Sequence, residues 1–296
     1  MTVFPANKYV DEIIANPTVR HQKIRKNTVK VRLIIFIALA VALLLVSIFA
    51  FQLCPYDPYA QDLSNAKAPP SAEHLLGTDV FGRDMLSRVI AGSQASISST
   101  LILVAIITVT GTIVGIICGW NGGVVDTVLM RISDLFLAFP GLVFALAVAA
   151  VLGGGLQNAI IALAAISWPK YARIARSQTL SQKETVYLRA AILSGCGTWK
   201  LLGKHILPNI IGPILVTSML DIGTMMMELA GLSFLGLGAK PPIAEWGSMI
   251  SEARSLLTTA PWITLSPGIA IFISVMIFNL LGDSVRDYMD PKTRMR

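Results

Sequence analysis

The chain has 296 residues, 54% of them hydrophobic and only 14% charged. Soluble proteins carry about 25% charged residues, so this composition excludes an ordinary soluble enzyme or binding domain. The net charge of +7 does not indicate nucleic acid, because the basic residues lie between apolar runs and not on one soluble unit.

In chain order, residues 1–30 form a polar tail, expected in the cytoplasm. It is too long for the n-region of a cleavable signal, and no small-residue cleavage site follows the first apolar run. That run, Val31–Leu53, is the first predicted span, since about 20 apolar residues cross the hydrocarbon core. The break at Cys54-Pro55-Tyr56-Asp57-Pro58 ends it, and Pro55–Ser71 reads as an outer loop. Asp79–Ala91 alternates apolar Val80, Phe81, Leu86 and Val89 with Arg83, Asp84 and Arg88, and is expected to be an amphipathic helix on the outer surface. Residues 31–95 therefore hold one span, a loop and a surface helix.

Residues 96–283 are expected to form a five-span core. Its spans are Ser96–Gly119, Val124–Leu152 (apolar from Leu135), Leu156–Ala175 (interrupted at Trp168-Pro169), Ile210–Leu235 and Ile263–Leu281. Residues 284–296 form a C-terminal tail. The runs are too long and too continuous for barrel strands. The predicted fold is all-α, a polytopic membrane protein with six transmembrane helices.

Nineteen of the 24 lysines and arginines fall on the tails, on Arg131 and on the loop between spans four and five. Only Lys67, Arg83, Arg88, Lys240 and Arg254 fall on the other side. The excess of basic residues marks the cytoplasmic side, which places both termini there. Cys54, Cys118 and Cys196 lack metal or disulfide spacing, and His21, His74 and His205 are scattered. Neither a metal site nor a cofactor is expected in this chain.

The loop 176–208 carries the clearest functional pattern. Thr185–Asn209 has helical apolar spacing at Val186, Leu188, Ala191 and Ile192, then at Trp199, Leu201 and Leu202, with Gly195 and Gly197 breaking it. Pro208 suits the first turn of the fifth span. Ala190-Ala191, Gly195 and Ile206-Leu207-Pro208 resemble the cytoplasmic EAA signature of binding-protein-dependent importers. Arg189 stands where that signature has glutamate. The resemblance implies a coupling helix that docks into a groove on a separate ATPase, with Tyr187, Arg189, Ala190, Ala191, Gly195 and Trp199 as its candidate residues.

A second resemblance spans about residues 50–291. Tyr56-Asp57-Pro58, Leu76-Gly77-Thr78-Asp79, Gly82-Arg83-Asp84 and Leu86-Ser87-Arg88 look like the second-permease type of dipeptide, oligopeptide and nickel importers. So does Gly231-Leu232-Ser233-Phe234-Leu235-Gly236-Leu237-Gly238 with Pro241-Pro242 and Glu245-Trp246-Gly247. No phosphate-binding loop is present, so ATP and magnesium belong to the partner ATPases that the resemblance implies. It also implies a second homologous permease, two ATPase subunits, an extracytoplasmic substrate-binding protein and surrounding membrane lipid. The setting implied is a bacterial or archaeal cell membrane. The glycines Gly231, Gly236 and Gly238 are expected to allow close helix packing.

Asp221 and Glu228 interrupt the fifth span seven residues apart, on one helical face, with Met225 between them and Met226 beside it. They are candidates for the translocation path and for recognition of a cationic group; the alternative is that both acids bond to neighbouring helices and the methionines pack. Arg131 with Asp134, and Asp283 with Arg286, are expected to form structural ion pairs at i,i+3. Ala239–Pro261 reads as either a docking face for the binding protein or a cap over the pore. Peptides and nickel or metal chelates both fit as substrate, with a lean to the metal branch from Asp221-Ile222-Gly223, Met225-Met226 and Arg189. The competing reading is an ion-gradient-driven secondary transporter, for which no inverted repeat is visible.

Overall fold

The computed structural model describes residues 17–289, and the side chains of residues 29–289. The tail residues 1–16 and 290–296 lie outside it. The described chain is helical, with one isolated β-bridge between Thr78 and Asp84. We number its helices α1 (Pro17–Ile48), α2 (Ala50–Leu53), α3 (Met85–Asn121), α4 (Gly123–Leu137), α5 (Gly141–Val151), α6 (Leu156–Lys183), α7 (Val186–Leu193), α8 (Leu207–Phe234), α9 (Trp246–Ala253) and α10 (Pro261–Met289).

Among the described residues, four helical segments are long and apolar enough to cross a membrane: Val29–Ile48, Met85–Asn121, Thr198–Phe234 and Pro261–Met289. They overlap the first, second, fifth and sixth predicted spans, the first of which ends at Ile48 and not at Leu53. The third is not one helix. It breaks between Leu137 and Gly141, where α4 and α5 meet at 92°. Pro140 explains the break, because its ring disfavours helical geometry in the residue before it. Counting this bent pair as one span gives five.

The fourth predicted span lies in α6, which is continuous to Lys183 and keeps Pro169 inside it. Trp168-Pro169 therefore does not interrupt the helix, and its end lies beyond Ala175. α6 fails the apolarity test, yet Ala159, Leu163, Ala172 and Ala175 are fully buried. A helix enclosed by other helices needs less hydrocarbon surface than one facing lipid.

The most extensive packing in the fold joins α3 to α6. It runs along Gly111, Gly115 and Gly119, one glycine per turn of α3. A Cβ on Gly111 would sit 2.5 Å from the Trp168 carbonyl oxygen and from the Tyr171 Cβ. One on Gly119 would sit 2.7 Å from the Thr179 Cβ. Small residues at this spacing let two backbones approach closely. The predicted packing role of Gly231 and Gly236 is not found, since neither has a neighbour within 4 Å of an added Cβ. Gly236 instead takes φ +87° after α8, the left-handed position that closes a helix end. For Gly238 the nearest atoms to an added Cβ are those of nearby Ser233.

Asp79–Ala91 is not a separate surface helix. α3 begins at Met85, with the Asp84 carboxylate capping Ser87 N–H at 2.8 Å. The charges that looked solvent-facing are partners of one another. The Arg83 Nε donates to Asp79 at 2.5 Å, and Arg88 Nε lies 3.4 Å from the same carboxylate. Asp79, Arg83 and Arg88 are all 3% exposed or less. The 239–261 segment closes over this end of α3. Glu245 caps α9 through Gly247 and Ser248 N–H, and Trp246 Nε1 donates to the Val89 carbonyl at 2.9 Å. Glu245 and Trp246 are therefore buried internal ties.

At the opposite end, Arg32 of α1 lies 3.7 Å from Asp287 of α10. The expected Asp283–Arg286 pair is not among the ion pairs of the described residues. Arg131 reaches Asp134 only at 4.0 Å, while Arg173 of α6 makes the closer contact to Asp134.

Candidate functional site

Two places carry the residues singled out by sequence. The first is the loop between α6 and α8. α7 ends at the turn through Gly195, whose φ of +76° favours glycine. The chain resumes as helix at Thr198 and continues without a break into α8, through a π-helical stretch over Leu201–Ile206. Pro208 thus does not open a new helix. It lacks an N–H and would crowd the carbonyl four residues back, and the wider π turn before it relieves both.

Leu188 and Leu201 anchor this loop in the core, at 0% and 2% exposed. Val186, Leu193 and Trp199 face outward at 83%, 89% and 87%. Ala190 and Gly195 are exposed and Ala191 is half-buried. Tyr187 is tied inward: its hydroxyl donates to Gln182 Oε1 at 2.7 Å and accepts from Asn209 Nδ2 at 3.0 Å. Arg189 pairs with Glu184, so its charge is offset within the loop. The outcome is a set of uncovered apolar side chains, Val186 and Leu193 on α7 and Trp199 beyond the turn, on a loop held from behind by Leu188 and Leu201.

The second place is α8. Asp221 is 5% exposed and fully engaged. Lys170 Nζ donates to its Oδ1 at 2.6 Å, and the Tyr171 hydroxyl donates to Oδ2 at 2.9 Å. Met225 and Met226 are packed in the core at 6% and 2% exposed, while Met227 is outside at 55%. Of the four predicted path residues only Glu228 remains half-buried, with no hydrogen bond or ion pair to another described residue. Lys170, missed by sequence, brings the ammonium that the acids seemed to lack. Its signal was its place directly after Trp168-Pro169 in an otherwise apolar run. On the neighbouring surface Met227, Gly231, Phe234, Gly268, Phe272 and Val275 line an apolar groove of about 500 Å³ between α8, α9 and α10.

A family model, the binding-protein-dependent transport system inner membrane component, matches residues 111–295. The chain belongs to that family. The probable D,D-dipeptide transport system permease protein DdpC of Escherichia coli (strain K12) is 44% identical to this permease over 252 residues, covering 85% of each chain. The nickel transport system permease protein NikC of the same strain is also 44% identical, over 237 residues, covering 80% of this chain and 86% of its own. In structure, this permease is similar to a chain of the MetNI methionine ABC transporter in an inward-facing conformation. The TM-score is 0.55 over 70% of this chain and 98% of that one, and at 18% identity the likeness concerns the fold alone. The chain is a permease subunit of an ABC importer in the dipeptide, glutathione and nickel class, and not an ion-driven secondary transporter.

Proposed function

We propose that this permease pairs with a second, homologous permease and encloses the translocation path with it. Two ATPase subunits, which bind ATP and magnesium, dock from the cytoplasm, and a binding protein delivers substrate from outside. The observation that carries this reading is the uncovered apolar face of Val186, Leu193 and Trp199 on a loop anchored by Leu188 and Leu201. A rigid helix seated in an ATPase groove would pass rigid-body movement to the spans, giving alternating access. The apolar groove beside α8 suits the second permease. Of the predicted path residues, Glu228 is the one free to meet cargo, while Asp221, Met225 and Met226 support the wall around it.

Six spans with both termini in the cytoplasm remain the best reading. The contact between Arg32, at the start of the first span, and Asp287, near the end of the last, supports a reading in which those two ends share one side. That requires an even number of crossings. Four apolar helices plus the bent pair make five, and α6 supplies the sixth. The basic residues of the loop between α6 and α8 mark that side as cytoplasmic. The localisation is the cytoplasmic membrane of a prokaryotic cell, and the cargo is a di- or oligopeptide or a nickel or metal chelate.

The test is purification of the complex with the products of neighbouring genes. An ATPase should copurify, and its activity should rise with loaded binding protein. Absence of any copurifying ATPase would overturn the reading.

A further inference from the structure

At the α6–α8 contact, Lys170 is a charged group that stays open. Its side chain is 52% exposed, whereas Asp221 and Tyr171 beneath it are 7% and 0% exposed. An ammonium has three donors, and Asp221 occupies one of them. No second acceptor meets it among the described residues. Glu228 lies seven residues, or two turns, further along α8, on the face that carries Asp221. It brings a carboxylate with no hydrogen-bond partner of its own. An open ammonium, brought from α6 to Asp221, and an unpartnered carboxylate two turns along α8 therefore flank one stretch of the α6–α8 contact, backed by a neutralised Asp221 and by the buried Met225.

We propose that Lys170 is a specificity-determining residue of the path, taking the carboxylate of a zwitterionic cargo while Glu228 takes its ammonium. This rests on the permease reading above and deepens it. A bare divalent cation fits poorly, since the open Lys170 charge would repel it and Asp221 is already engaged. No cluster of three His, Cys, Asp or Glu side chains converges there among the described residues. A molecule with one charge of each sign satisfies both groups and leaves no surplus. The contacts stay few, which a transport path requires, because cargo held tightly would not leave.

The experiment uses the whole complex in proteoliposomes with saturating binding protein. The probes are alanylalanine, its C-terminal amide, its N-acetyl form and nickel chloride, and uptake is normalised to binding-protein occupancy. Lys170→Met alone would strand Asp221, so the informative variant is Lys170→Met with Asp221→Asn, which removes both charges together. Wild type should favour alanylalanine over its amide by about tenfold, the scale of one hydrogen bond to a charged group. The double variant should lose that preference while keeping its preference over the N-acetyl form. Glu228→Gln should show the reverse pattern, and Lys170→Arg should restore the carboxylate preference. The proposal is overturned if the double variant keeps the wild-type preference, or if wild type imports only nickel. ATPase stimulation by loaded binding protein, measured alongside, reports on the permease reading separately: it persists in either of those cases and disappears only if that reading fails.

Discussion

Arg176 of α6 grips Asp126 of α4 across fifty residues of chain, its Nε on one carboxylate oxygen at 2.5 Å and its Nη2 on the other at 2.6 Å. A bidentate fork fixes orientation as well as distance. With Arg173 on Asp134, it binds α4 to the last turns of α6, just before the loop that meets the ATPase in the proposed assembly.

Reversing the charge in Arg176→Glu should destabilise the isolated permease by about 1 kcal/mol, a modest figure because the arginine is about one-third exposed. The paired exchange Arg176→Asp with Asp126→Arg should recover part of the loss. Thermal unfolding in detergent measures both. Equal melting temperatures for the single and exchanged variants would count against the pair.

The glycine seam predicts a contrast within one residue type. Gly111→Ala forces a Cβ to within 2.5 Å of backbone and side-chain atoms of α6, and should cost about 1–3 kcal/mol. Gly231→Ala meets nothing within 4 Å and should be neutral or slightly stabilising through better helix propensity. Melting temperatures of the two variants should move in opposite directions from each other.

Arg88 is 2% exposed, shares the Asp79 carboxylate with Arg83 and donates to the Pro58 carbonyl at 3.3 Å. Arg88→Met removes one member of a buried charged network. The expected loss is about 1–3 kcal/mol, because the Pro58 carbonyl loses its donor in a buried site while Arg83 still compensates Asp79. A double variant that also carries Asp79→Asn should lose less than the two single effects added together. Simple additivity in unfolding scans would show that the two side chains are not coupled.

Trp199→Ala combined with Leu193→Ala should leave the melting temperature of the permease nearly unchanged, since both side chains are almost fully exposed. The amount of ATPase recovered per permease in a pull-down should fall at least tenfold, as expected when an exposed aromatic anchor is removed. Undiminished ATPase recovery would move the docking surface elsewhere.

Much of this was legible in the sequence where the determining interaction is local. Apolar runs fix span positions because each run must meet hydrocarbon within its own helix. The spacing of Val186, Leu188 and Ile192 around Gly195 marked the loop helix for the same reason. Charged residues were misjudged where their partners are distant. Nothing near Asp221 in sequence reveals that Lys170 and Tyr171 neutralise it fifty residues earlier. Asp79, Arg83 and Arg88 were close in sequence, yet their mixture with apolar residues resembled a wet surface because mutual burial depends on the segment folded over them. Two signals were readable and passed over: Pro140 inside an apolar run, and the four-residue spacing of Gly111, Gly115 and Gly119.

Lys183, the last residue of α6, donates to the carbonyls of Gly119 and Trp120 at 3.4 and 2.8 Å, where α3 ends. Three residues later α7 begins. α3 is 37 residues long, a rod of about 55 Å, and its far end holds the buried Arg88 network under the outer loops. The ammonium of Lys183 therefore works as a clamp at one end of a beam that, in the proposed assembly, would reach from the ATPase side to the substrate side. In that assembly, displacement delivered to α7 would pass through the Lys183 clamp and reach the outer loops along a single unbroken helix.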